Sequence, residues 1–84
     1  MEIKIPEYDV KKGFEHHWED GFEIKVVRSD NGVVLSANKA GLVSLAIQLL
    51  TLAQDSVPSN YNYHLDEHNS LEEGSIELVI ERIP

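Results

Sequence analysis

The stretch from Asn38 to Gln54, NKAGLVSLAIQLLTLAQ, constrains this chain more than any other. It is the one segment long and periodic enough to predict a helix, and the rest reads as strand and turn. Spacing residues by about 100° places Leu42, Val43, Leu45, Ala46, Ile47, Leu49, Leu50, Leu52 and Ala53 on an apolar arc about 220° wide. A helix lying on one sheet needs little more than about 100°. Ser44, Gln48, Thr51 and Asp55 form the strip expected to face water, with Gln54 at its shoulder. Asn38 suits the N-cap, because its side-chain oxygen can accept from a free amide of the first turn. Val57-Pro58 is expected to close the element, since the residue before proline avoids helical geometry. A sheet cannot cover so wide an arc. The remainder is expected to lie under the N-terminal segment or a loop, or to meet a second copy or another protein.

Around that helix the pattern switches to period two. Glu2 to Ile5 alternates and predicts a short strand stopped by Pro6. Phe14 to Asp20 (FEHHWED) reads either as a strand or as a flap laying Phe14 and Trp18 on the helix. Phe22 to Arg28 predicts a strand with Phe22, Ile24 and Val26 on one face. Asp30-Asn31-Gly32 is a turn signal, because Asn and Gly tolerate positive φ, and Val33 to Leu35 completes a hairpin. Beyond the helix, Tyr61 to Leu65 and Ile76 to Ile83 predict two more strands. Val79 and Ile83 make the second face of the last one partly apolar, which predicts a central strand or a partner there. Between these two strands, Ser70-Leu71-Glu72-Glu73 matches a capping box, and Gly74 suits the left-handed stop of such a turn. The order β-β-β-α-β-β predicts a single α+β domain over residues 1–84, with a mainly antiparallel sheet of four to five strands and one long helix packed on one face.

Eighty-four residues leave no room for a second core, and with no cysteine there is no disulfide or thiolate–metal staple. The missing cysteine fits a reducing compartment. The N-terminus MEIKIPEYDV lacks a cationic start followed by an apolar run, and no apolar stretch is long enough to span a bilayer. A cytoplasmic protein without a membrane association is expected. A net charge of −8 opposes nucleic-acid binding, which requires a positive surface against phosphates. The charge is uneven, with seven carboxylates in residues 55–84 against the single cation Arg82. Such an excess aids solubility, and it also makes a landing surface for a basic partner.

His64-Leu65-Asp66-Glu67-His68 is the most metal-like cluster: on a strand His64 and Asp66 share a face, and His68 can join them. Its spacing matches no metal motif, so neither a metal nor any other cofactor is expected. His16-His17, beside Trp18, Glu19 and Asp20, is a candidate to join that cluster or line a small-molecule pocket, although adjacent strand residues point to opposite faces. Tyr61, Tyr63 and Trp18 are candidate interface anchors, with core packing the commoner role for such residues. Catalysis has no support, since the chain contains no cysteine nucleophile, no glycine-rich phosphate loop and no Gly-x-Ser-x-Gly elbow.

Three runs, LSANKAGLVSLAIQLLTLAQ (Leu35 to Gln54), YHLDE (Tyr63 to Glu67) and SLEEGSIELVIERI (Ser70 to Ile83), together resemble a family of small bacterial immunity proteins of polymorphic toxin systems, the family termed immunity protein thirty-two. The N-terminal third carries little of this resemblance. It implies a non-catalytic α+β protein, made beside a toxin, that binds the toxin to protect the producing cell. Many toxins in such systems are nucleases with basic clefts, which an acidic protein can block by presenting carboxylates in place of phosphates. Asp66, Glu67, Glu72 and Glu73, with Asp20, are therefore the expected partner-binding residues. The alternatives are a structural or regulatory homodimer, using the wide helix and the two-faced last strand, and a small metal- or ligand-binding domain.

Overall fold

A computed structural model describes residues 1–9, 11 and 17–84. In chain order the elements are β1 (Ile24–Ser29), β2 (Gly32–Ala37), α1 (Lys39–Leu52), β3 (Asn62–Leu65) and β4 (Leu78–Glu81). The class is α+β with one helix, as expected, but the expected four- to five-stranded sheet is replaced by two antiparallel pairs, β1 with β2 and β3 with β4. Glu2 to Ile5 forms no strand, and the strand expected from Ile76 to Ile83 shortens to β4. The part of the FEHHWED segment from Phe14 to His16 lies outside the described residues.

β1 and β2 close as a hairpin with Val26 opposite Leu35 and Ser29 opposite Gly32. The two-residue loop needs a left-handed residue to match strand twist, and Asp30, at φ 42°, supplies it rather than Asn31 or Gly32. On its other side β1 meets the 72–76 segment, where Glu72 N donates to Ile24 O (2.8 Å) and Ile76 N to Val26 O (2.8 Å). Between these bonds the Ser75 hydroxyl, not a main-chain carbonyl, accepts from Val26 N at 3.1 Å. Gly74, at φ 87°, kinks the chain there. Those two irregularities stop the ladder, so the C-terminal segment touches β1 first and pairs with β3 afterwards.

Asn38 caps α1 as its residue type predicts. Its Oδ1 accepts from Gly41 N (2.8 Å) and also from Glu23 N (3.0 Å), while Nδ2 donates to Gly21 O (2.9 Å), so the cap also pins the entry to β1. The helix stops at Leu52, short of Val57-Pro58. Arg82 meets its last carbonyl and one just beyond it, the guanidinium donating to Leu52 O (2.8 Å) and Gln54 O (2.9 Å). A cation at this end is also favoured by the helix dipole.

The rotation of α1 about its axis is the main departure from expectation. Ser44, Gln48 and Thr51, the expected wet strip, are 0%, 1% and 1% exposed, whereas Leu42, Leu49 and Leu50 are 55%, 48% and 49% exposed. Polar groups can be buried where they are hydrogen-bonded, and each of these side chains makes a bond, although Gln48 Oε1 has no partner among the described residues. Ser44 Oγ donates to Ala40 O (2.7 Å) and Thr51 Oγ1 to Ile47 O (2.6 Å), within the helix. The rest of the strip binds the N-terminal segment. Glu19 N donates to Ser44 Oγ (2.8 Å), Gln48 Nε2 to His17 O, Tyr8 N to Gln54 Oε1 (2.9 Å) and Gln54 Nε2 to Pro6 O (2.7 Å). The N-terminal segment therefore does cover the helix along its polar strip, and Ile3 to Pro6 also share a hollow with Val43 and Ile47 of the apolar arc.

The core gathers Ile24 and Val26 of β1, Leu45 and Leu52 of α1, and Tyr63 and Leu65 of β3. Burial pushes the Tyr63 phenol pKa above its ordinary value of 10.0. Trp18 stacks on Phe22, with ring centroids 4.9 Å apart, and Tyr61 meets Tyr8 edge-on at 5.8 Å. Of the candidate anchors, Tyr63 is thus a core residue and the other two pack within the chain. Among the described residues, no helix is long and apolar enough to cross a membrane.

Candidate functional site: the acidic loop

Asp66 to Gly74 connects β3 to the segment beside β1, and it is built around one carboxylate and one leucine. Asp66 exchanges main-chain bonds with Asn69 (3.0 Å each way), its carbonyl also accepts from Leu71 N (3.0 Å), and its Oδ1 accepts from His68 N (2.8 Å). Asn69 Nδ2 ties the loop back to His64 O at 2.8 Å. Leu71, only 5% exposed, plugs the core beneath. The expected capping box forms no helix turn: Ser70 sits at φ 79° with its hydroxyl on Asn69 Oδ1, and the Glu72 amide is committed to β1. Gly74 takes the expected left-handed conformation, and its amide donates to Glu67 Oε2 at 2.9 Å.

The four expected loop carboxylates therefore differ in what they are free to do. Asp66 and Glu67 each spend an oxygen holding the loop together. Glu72 and Glu73 are exposed, and among the described residues no hydrogen bond or ion pair engages either carboxylate. Glu72 shares a hollow with Glu23 and Lys25 of the β1 side. Glu23 is thus a neighbour missed from the sequence, although its place on the outward face of the β1 alternation was a usable signal. Asp20 is not brought to this loop. It lines a separate open hollow of about 460 Å³ beside the helix start, with His17, Trp18, Glu19 and Lys39 among its walls. His17 thus lines a hollow, as one reading had it, while His16 lies outside the described residues.

His64 and Asp66 do share a face, with Nε2 and Oδ2 3.7 Å apart, and Glu77 approaches the same imidazole at 3.3 Å. His68 does not join them: it is exposed and lies 3.7 Å from Glu67 instead. Among the described residues, no group of three or more His, Asp or Glu converges as metal ligands would. Arg82, the single cation of residues 55–84, is drawn away to the end of α1, and the cation that approaches the loop is Lys25 of β1, whose side chain ends beside Gly74.

The family model for immunity protein 32 matches residues 32–83, from the first residue of β2 to just past β4. The chain belongs to the immunity protein 32 family. The match confirms the resemblance carried by the helix, the YHLDE run and the last segment. No curated protein and no solved structure matches the chain. The immunity protein 32 region contains Asp66, Glu67, Glu72 and Glu73 but excludes Asp20, β1 and the segment that covers the polar strip of α1.

Proposed function

We propose that this chain is a non-catalytic cytoplasmic immunity protein that neutralises a cognate bacterial toxin by occlusion, with the acidic loop as its contact surface. Family membership carries the reading, and two features of the loop support its placement. Glu72 and Glu73 are exposed on a loop anchored by Leu71 and two bonds to β1, and among the described residues nothing bonds either carboxylate, so little ordering entropy remains to be lost on binding. The surplus of seven carboxylates over one cation in residues 55–84 gives a field that suits the basic cleft of a nuclease-type toxin and speeds encounter with it. Asp66 and Glu67 add charge and hold the loop's shape.

The test uses the toxin encoded beside this chain, identified from the neighbouring gene and confirmed by pull-down. Binding is measured by calorimetry at low and at physiological ionic strength for wild type, Glu72→Lys/Glu73→Lys and Glu67→Lys/Glu72→Lys. Affinity is expected to fall at least about tenfold, with a shallower salt dependence, as lost complementary charge pairs dictate. Unchanged affinity and salt dependence would show that the toxin binds elsewhere.

A further inference from the structure

We infer that the outer edge of β2 pairs with the same edge of a second copy of this chain, joining two hairpins about a two-fold axis. A two-residue loop makes Ser29–Gly32 the closing hydrogen-bonded pair, so Val27–Val34 and Lys25–Ser36 exchange bonds as well. The amides and carbonyls of Val33, Leu35 and Ala37 therefore point away from β1. Among the described residues no strand but β1 pairs with β2, and no hydrogen bond reaches those groups. Sheet edges are ordinarily protected by charge, proline, bulges or cover; β2, GVVLSA, carries no charge or proline, and among the described residues it has no bulge or cover. The edge of β3 differs, since the Asn69 side chain occupies the His64 carbonyl.

Three observations select a second copy as the occupant. The outward groups are centred on Leu35, so a two-fold sets Leu35 against Leu35 and Val33 against Ala37. Each pair exchanges both main-chain bonds, as an isologous contact requires. No like charges fall opposite one another, because β2 is uncharged. Leu35 lies on the core-facing side, opposite buried Val26, yet is 40% exposed, and Val33 on the same side is 61% exposed. The core face thus continues past the chain's own cover, and the copy's Leu35 and Val33 would extend it. A basic toxin is the poorer occupant, since Ile24 to Gln54 carries Lys25, Arg28 and Lys39 against the single acid Asp30.

Sedimentation and light scattering of the full chain at high micromolar concentration are expected to give twice the 9.5 kDa chain mass. Amide exchange at Val33, Leu35 and Ala37 should be slow there and fast on dilution. Leu35→Lys sets two cations face to face and should weaken association more than tenfold while leaving toxin capture intact. Val33→Pro, which removes only an outward amide, should do the same if Leu35→Lys fails to fold. A wild type that stays monomeric, or a dimer undiminished in both variants, overturns the inference. So does a monomeric wild type whose Leu35→Lys variant loses the toxin, which would assign the edge to that partner.

Discussion

Gly41 shows how a single residue can answer to packing and not to helix propensity. Exchanging an interior helix glycine for alanine ordinarily gains about 1 kcal/mol. Here the added Cβ would collide with the Glu23 carbonyl oxygen and lie 2.9 Å from Ile24 Cγ1, so main chain must move. Overpacking of that kind costs about 1–3 kcal/mol. Gly41→Ala is therefore expected to lower stability in urea titration, and a gain would show that α1 can lift off β1. Asn38 is the opposite case. Its capping role was legible because a cap is a contact three residues long, while its second grip on Glu23 and Gly21 depends on how the hairpin returns.

At the scale of the element, α1 was legible as a helix and illegible in its orientation. Counting apolar residues around the axis assigns the polar strip to water, because the count has no knowledge of what each polar atom will bond. Ser44 and Thr51 satisfy their hydroxyls on their own helix, and Ser44, Gln48 and Gln54 hold the main chain of the N-terminal segment. The two orientations make opposite predictions. Gln48→Ala removes the bond to the carbonyl of exposed His17 and should cost about 0.5–1.5 kcal/mol. It should also expose the N-terminal segment to limited proteolysis. Leu49→Gln, at a site 48% exposed, should stay within about 0.5 kcal/mol of wild type. The reverse ranking in urea would restore the wheel-based orientation. The same blindness to side-chain pairing explains the missing long sheet, since nothing in the alternation of residues 76–83 announces that Ser75 Oγ will stand in for a carbonyl.

Across the whole molecule, charge is distributed more unevenly than a net value of −8 conveys. Every ion pair among the described residues uses a histidine and stands at least partly in solvent, and Arg82 is spent on the end of α1. Pairs of that kind contribute little, so like-charge repulsion outweighs them. Added salt screens such repulsion over a distance of about 8–10 Å near physiological strength. The melting temperature is therefore expected to rise between low and physiological salt. A gain of about 1 kcal/mol would appear as about 4–8 °C for a domain of this size. A fall in calorimetry would mean that favourable pairs dominate after all.

The order of residues by itself determined the helix and its N-cap, the β1–β2 hairpin, the acidic surplus of the C-terminal segment and the family. Each of these depends on near neighbours, on composition or on a pattern read along the chain. Only the tertiary structure decided which side of α1 is wet, that Asp66 and Glu67 brace their loop while Glu72 and Glu73 are exposed on it, that Asp20 lines a separate hollow, and that among the described residues only β1 pairs with β2. Those outcomes are set by which distant main-chain groups a side chain can reach, and local polarity carries no record of that.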